Sequence, residues 1–106
     1  MTIERPPSEV YDFVCDPKNL STWASGLSDT VKVRFAERNA YGILDHYVSL
    51  ASGVEVYVPM RVFPNSQASE VLITVFRQPG VSEEQFAKDT LWVRRDLERL
   101  KELLEK

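Results

Sequence analysis

The sequence predicts one α+β domain in which an antiparallel sheet of about five strands packs on a long C-terminal helix. Between residues 31 and 77, several runs alternate apolar and polar side chains, which is typical of strands that bury one face. Residues 82–104 instead carry apolar side chains at steps of three and four, which places them in one stripe along a helix. Because a chain of 106 residues has the length of one domain, we expect residues 1–106 to form a single unit.

Short helices are predicted ahead of the sheet. The two prolines before Ser8 suit the first turn of a helix, where an N–H is not needed. Val10 and Val14 then fall at helical spacing and define an apolar face. Pro17 is expected to end this helix because a proline disfavours helical geometry in the residue before it. A second short turn is predicted at residues 17–20.

The turn residues divide the sheet into strands. Asn39 lies between two predicted strands and tolerates the positive φ of a tight hairpin turn, and Gly53 suits a hairpin with a bulge. Pro59 has no N–H to donate to a ladder, so a bulge or an unpaired edge is expected there. The predicted strands are a short one ending at Ile3 and residues 31–35, 41–50, 54–63 and 70–77.

The last helix has a clear start and two clear faces. Ser82 and Gln85 have the spacing of a capping box, in which each side chain satisfies a free backbone N–H. Opposite charges four residues apart predict exposed ion pairs, namely Arg94–Glu98 and Lys101–Glu105. The apolar stripe consists of Phe86, Thr90, Val93, Leu97, Leu100 and Leu104.

Composition excludes several classes of function. A net charge of −3 and a pI near 5.1 argue against a nucleic-acid surface and against anionic membranes. The apolar run at residues 71–76 is too short to span a bilayer, and the N-terminus lacks the apolar stretch of a signal peptide. With one cysteine, Cys15, and one histidine, His46, neither an internal disulfide nor a metal site is expected, and no cofactor is predicted. We therefore expect a cytoplasmic protein.

Several stretches together resemble one superfamily, the START-like or SRPBCC domains, often described as polyketide cyclase-like. The resemblance extends over nearly the whole chain, and each motif is weak alone, whereas the set in this order is fairly specific. The stretches are residues 5–14, Asp16-Pro17 through Trp23-Ala24-Ser25-Gly26-Leu27, Tyr41-Gly42-Ile43-Leu44-Asp45-His46, Pro59-Met60-Arg61-Val62, residues 69–80, Asp89, Asp96-Leu97 and Leu100.

The resemblance implies a helix-grip fold, in which a curved sheet wraps around the C-terminal helix and leaves a cavity between them. Members bind lipids, steroids, plant hormones or polyketides, and a minority catalyse cyclisation. The chain departs from the pattern between residues 26 and 31, where relatives usually carry another hairpin, so it is a shortened member. The implied cavity would be lined by Trp23, Leu44, His46, Val48, Val56, Val58, Met60, Phe86, Val93 and Leu97.

His46 is the residue most open to a functional interpretation. Alternation places it with Leu44 and Val48 on the more apolar side of its strand, where a polar group could orient a ligand. The alternatives are a histidine hydrogen-bonded within the sheet, or one that faces solvent. Asp45 must point to the other face, so an Asp–His dyad is disfavoured. Arg61 and Glu70, on neighbouring strands, are the expected partners of Asp45.

Three functions remain open from the sequence. The first is a binding module for a small apolar molecule. The second is a cyclase-type enzyme with His46 as acid or base, which needs a second titratable group that the sequence does not offer. The third is an interaction protein without a ligand. In that case residues 31–37 form an open edge that pairs with a second copy, or the N-terminal helix is exchanged across residues 27–30.

Overall fold

A computed structural model describes residues 1–24 and 32–106 of the chain. Residues 25–31, which include Val31, the predicted shortening and the exchange hinge, lie outside the described part. The elements are β1 (Thr2–Ile3), α1 (Pro7–Cys15), a 3₁₀ turn (Pro17–Asn19), α2 (Leu20–Trp23), β2 (Lys32–Phe35), β3 (His46–Ser49), β4 (Glu55–Val58), β5 (Met60–Asn65), β6 (Ala68–Ile73) and α3 (Glu83–Leu104). The predicted α+β class, with short N-terminal helices and a long C-terminal one, is confirmed.

Prolines set both ends of α1, as predicted. Pro7 is its first residue, and Asp16 has left helical geometry with ψ at 114° ahead of Pro17. The Asp16 carboxylate then accepts a hydrogen bond from the Lys18 backbone N–H at 3.0 Å, which starts the 3₁₀ turn. The chain can therefore turn twice within a few residues and bring α2 back over the core.

The described strands form two three-stranded antiparallel sheets, ordered β1–β6–β5 and β2–β3–β4. One register runs through both sheets. His46 pairs with Val58, and Ile43, three residues before His46, bridges to Arg61, three residues after Val58. The ladder is incomplete between these pairs, because Leu44 donates its N–H to the Met60 carbonyl but the Met60 N–H goes to the Asp45 carboxylate. Pro59 lies between β4 and β5, which the sequence predicts as one strand. The described part has six strands, which corrects the expected number of about five.

The connection between β2 and β3 is longer than predicted, because β3 begins at His46 rather than at residue 41. Asn39 does not have a positive φ; among the described non-glycine residues, Ser66 alone does. Instead, the Asn39 side-chain oxygen accepts hydrogen bonds from the backbone N–H groups of Tyr41 and Ile43, at 3.0 and 3.1 Å. A side-chain amide can shape a turn in this way without left-handed geometry. Gly53 has the expected positive φ, of 89°.

The last hairpin is shifted relative to its prediction. β5 continues to Asn65, the turn lies at Ser66, and β6 ends at Ile73 rather than continuing to residue 77. Thr74 still donates its N–H to the Pro59 carbonyl at 2.9 Å. Beyond that point the neighbouring strand has reached the Pro59 interruption, so the regular ladder ends.

The helix α3 covers the predicted residues, and its cap is half of the predicted box. The Ser82 hydroxyl accepts a hydrogen bond from the Gln85 N–H at 3.1 Å, but the Gln85 side chain donates to Asp89 instead of returning to Ser82. Both predicted ion pairs form, Arg94–Glu98 at 3.5 Å and Lys101–Glu105 at 2.7 Å.

The core lies on one side of the sheets and receives the C-terminal half of α3. α3 packs against α2 and β1. Leu100 is fully buried, Leu97 and Leu104 are half-buried, and Thr90 in the N-terminal half is exposed. The stripe is therefore covered unevenly. The buried core consists of Ile3, Val10, Tyr11, Val14, Trp23, Ala24, Leu44, Met60, Val62, Val71 and Leu100.

Hydrogen bonds hold the N-terminal strand against α3. The Lys101 ammonium donates to the Thr2 carbonyl at 2.7 Å, and Arg5 Nε donates to the Leu104 carbonyl at 2.6 Å. The Met1 amino group donates to the Val71 carbonyl at 2.8 Å. These contacts tie the end of the last helix to the first strand.

Candidate functional site

One face of β2, β3 and β4 is apolar and continues from the core. Its side chains form two cross-strand rows, Val33–Val48–Val56 and Phe35–His46–Val58. Burial decreases along the chain of β3: Leu44 is 1% exposed, His46 is 8% exposed and Val48 is half-buried. The apolar inner face therefore extends beyond the part that the core covers.

His46 is a neutral hydrogen-bond acceptor at the border of the covered part. Its Nδ1 lies 3.0 Å from the Leu44 carbonyl, which can only accept, so Nδ1 carries the proton and Nε2 keeps its lone pair. Burial lowers the pKa of His46, and the bond to Leu44 and the charge of Asp45 oppose this less strongly. The ring packs on Phe35, with centroids 4.8 Å apart.

Trp23 supplies a buried donor that lacks a partner among the described residues. Its indole is buried at the end of α2, 4% exposed, and Nε1 has no hydrogen-bond partner in the described part of the chain. A buried indole N–H normally finds an acceptor, since leaving it unpaired costs about 1–3 kcal/mol. An oxygen atom of a bound molecule would satisfy this group.

The residues predicted to line a cavity divide into two groups. Trp23, Leu44, His46 and Met60 are buried. The half-buried ones are Val48, Val56, Val58, Phe86, Val93 and Leu97. The first group belongs to the covered interior. In the second group Leu97 packs against the core, and the others are partly exposed on the sheet and on α3.

Asp45 lies on the opposite face, beside the break between β4 and β5 at Pro59, and accepts four hydrogen bonds there. Its carboxylate accepts hydrogen bonds from Arg61 Nε at 2.9 Å and Nη2 at 2.8 Å, from the Tyr57 hydroxyl at 2.7 Å and from the Met60 N–H at 2.9 Å. The bonds from Arg61 hold the pKa of Asp45 well below its usual range although burial opposes this. The predicted Asp45–Arg61 pair is confirmed.

The hydrogen bonds of the Leu44–Met60 backbone pair also explain the orientation of His46. Leu44 donates its N–H to the Met60 carbonyl at 2.8 Å, but the Met60 N–H turns to the Asp45 carboxylate. The Leu44 carbonyl then accepts from His46 Nδ1. Two neighbouring side chains on opposite faces are thus fixed by the same backbone pair.

One expected partner of Asp45 is wrong, and one was missed. Glu70 pairs with the Met1 amino group at 3.0 Å and accepts from the Thr2 hydroxyl, because β1 lies beside β6. Tyr57 was not predicted to bind Asp45. The alternation that puts Tyr57 on the same face as Arg61 was the available signal.

A surface groove of about 520 Å³ lies elsewhere, between α1 and β5. Its walls include Tyr11, Arg38, Tyr41 and Val62, and the Arg38 guanidinium lies 5.4 Å from the centre of the Tyr11 ring. Two further grooves, of about 510 and 420 Å³, are lined by residues from 2–7 and 65–68. The predicted cavity residues line none of these three, so the cavity stays a prediction.

Residues 1–24 and 32–106 contain neither a metal-ligand cluster nor a helix that could span a membrane. No group of three His, Cys, Asp or Glu side chains there could hold a metal ion. The helices of this part are too short or too polar for any of them to cross a membrane.

Comparisons with known proteins give a fold and no family. No family model and no curated protein matches the chain. The crystal structure of protein CV1439 from Chromobacterium violaceum, a structural-genomics target, matches 100% of this chain and 96% of that chain with a TM-score of 0.56 and 16% identity. A likeness at this identity shows the fold alone, and the resemblance to START-like domains stays a prediction.

Proposed function

We propose that this protein is a cytoplasmic helix-grip domain of the START-like type that binds a small apolar molecule on the inner face of β2, β3 and β4. The observation that carries the proposal is the decrease in burial along that face. The apolar rows run from the covered core at Leu44 to half-buried valines at Val48 and Val56. Apolar surface left partly in water gains about 25 cal/mol for each Å² that a ligand covers.

Polar groups near the covered end favour a ligand with one oxygen-bearing group. His46 presents an acceptor at Nε2, and Trp23 presents a donor at Nε1 that has no partner in residues 1–24 and 32–106. A hydroxyl group can donate to the first or accept from the second. An apolar body with one such group is the usual complement of a site with few polar atoms.

Binding is favoured over catalysis by the state of the ionisable groups. The adjacent carboxylate, Asp45, lies on the other face and is held by Arg61. A general acid–base step at His46 would need a second group within reach of the same substrate. We therefore propose a carrier or sensor of an apolar molecule rather than a cyclase.

The test uses tryptophan emission from Trp23 in a Trp92→Phe variant, with dodecanoic acid and N-phenyl-1-naphthylamine as probes. We expect micromolar dissociation constants, about −8 kcal/mol, with a shift in emission and a rise in melting temperature. Val48→Glu places a carboxylate on the inner face and should weaken binding by about tenfold or more. Ser49→Glu, the next residue on the other face, is the matched control and should bind normally.

Two results would reject the proposal. One is unchanged emission and melting temperature with both probes. The other is equal weakening by Val48→Glu and Ser49→Glu, which would show that the probes do not use the inner face.

A further inference from the structure

The outer face of the two sheets carries exposed aromatic and aliphatic side chains. Tyr57 is 38% exposed, Phe63 45%, Leu72 47% and Phe76 51%. The shared register places them on one surface, because Tyr57, Arg61 and Phe63 alternate with the buried Met60 and Val62 along β4 and β5. The helices pack on the other side of the sheets, where the core lies.

These side chains contact one another in rows across the strands. The rings of Tyr47 and Tyr57 lie 5.2 Å apart, and Tyr57 stacks on Phe76 at 6.3 Å. The Arg34 guanidinium lies 4.8 Å from the centre of the Tyr47 ring. In the next strand pair, Leu72 lies opposite Arg61. Tyrosine, phenylalanine and arginine are enriched in protein interfaces.

The charges on this face balance one another: besides two ion pairs, Lys32 and Glu70 lie on the same face by register and carry opposite charges. Arg61 pairs with Asp45 at 2.8 Å, and Arg34 pairs with Glu55 at 3.0 Å. A partner with a strong charge of either sign would therefore gain little here. A second copy of the same face meets no excess of like charge, which is the electrostatic condition for self-association.

The extent of the face is compatible with a weak dimer. Residues 42–49 span about 26 Å at ~3.3 Å per residue, and four neighbouring strands span about 19 Å at ~4.8 Å each. These dimensions give about 500 Å² per copy, or about 1,000 Å² for two, near the lower limit for a specific interface.

We propose that two copies of this chain pack face to face through the outer-face residues Tyr47, Tyr57, Phe63, Leu72 and Phe76, as a weak two-fold dimer. Pairing through the edge of β2 is less favourable, because a two-fold register centred on Val33 sets Lys32 against Arg34 of the second copy. The face-to-face arrangement covers apolar surface on both copies and leaves the inner face free for a ligand.

Sedimentation velocity from about 1 to 200 μM tests the dimer. The wild type should shift from the 12.2 kDa of one chain towards twice that mass, with a dissociation constant of about 10 μM. Leu72→Glu should remain monomeric over the whole range. Leu91→Glu is the matched control, since Leu91 on α3 is 50% exposed, and it should dimerise as the wild type does.

Each other outcome overturns the proposal. A wild type that stays monomeric at 200 μM removes the dimer, and a dimer that survives Leu72→Glu, or that Leu91→Glu also abolishes, removes the outer face as its site. Far-UV circular dichroism and melting curves establish that both variants fold. If Leu72→Glu does not fold, Phe63→Lys on the same face takes its place with the same expected result.

Discussion

Substitutions of Asp45 measure how much its carboxylate stabilises the sheet at the break between β4 and β5. Replacing Asp45 by Ala leaves the N–H of fully buried Met60 without an acceptor, which costs about 1–3 kcal/mol. The lost ion pair adds up to about 1 kcal/mol, because the Arg61 side chain is 40% exposed and partly screened. We expect Asp45→Ala to lower the free energy of unfolding by about 1–4 kcal/mol in total.

Two variants separate the parts of this effect in urea melts at fixed protein concentration. Asp45→Asn keeps one oxygen for the Met60 N–H and removes the charge, so it should cost about 1 kcal/mol. Glu55→Ala breaks the exposed Arg34–Glu55 pair and should cost less than about 1 kcal/mol. The role of the Asp45 carboxylate would be refuted if Asp45→Ala lowered the free energy of unfolding by less than about 1 kcal/mol, or by no more than Glu55→Ala does.

The same carboxylate predicts a dependence of stability on pH. Its pKa is lower in the folded chain than its unfolded value of about 3.9, so its contribution is complete above that value and is lost as the pH falls through the folded pKa. Asp45→Asn lacks this titration. The difference in unfolding free energy between wild type and Asp45→Asn should therefore be constant between pH 5 and 7 and shrink below about pH 3.9. A difference that grows towards acid pH would contradict the assignment.

Two further predictions concern packing and backbone geometry. Leu100→Ala should lower the free energy of unfolding by about 2–5 kcal/mol because the Leu100 side chain is fully buried. Leu91 is exposed, so Leu91→Ala should change it by less than about 0.5 kcal/mol. Similar losses for both variants in urea melts would show that α3 does not enter the core at Leu100. Gly42→Ala should cost about 2 kcal/mol or more, since its φ is 71° and an added Cβ would lie 2.2 Å from the Val62 carbonyl oxygen. Gly53→Ala has a positive φ but open space around it and should cost about 1 kcal/mol by thermal melting; equal losses at both glycines would contradict the close approach at Gly42.

The accuracy of the sequence prediction varied with the range of the interactions involved. The bounds of α3 follow from the Ser82 cap and the apolar stripe, both of which act within a few residues. Pro17 ended α1 as predicted because a proline disfavours helical geometry in the residue before it, and Pro59 marks the break between β4 and β5. The Asn39 turn was wrong because its side-chain amide found backbone partners at Tyr41 and Ile43 that a propensity for positive φ does not reveal.

The alternation of apolar and polar residues along the strands predicted only part of the candidate site. Period-two patterning correctly placed His46 with Leu44 on the apolar face and Asp45 on the other. Alternation does not show how far a face is covered, so the decrease in burial from Leu44 to Val48 appears only in the structure. The partner of Glu70 was misjudged because β1 contributes the chain terminus to the neighbourhood of β6.

The sequence by itself determined the α+β class, the bounds of α1 and α3 and the side of the strand on which His46 lies, because these depend on spacing and on the local chemistry of proline, serine and alternating side chains. Only the tertiary structure decided that one register runs through both sheets, that Asp45 replaces the Leu44 carbonyl as the acceptor for Met60, and that aromatic side chains gather on the outer face. Those features join residues far apart in the chain, and their formation depends on which strands become neighbours and on which surfaces the helices cover.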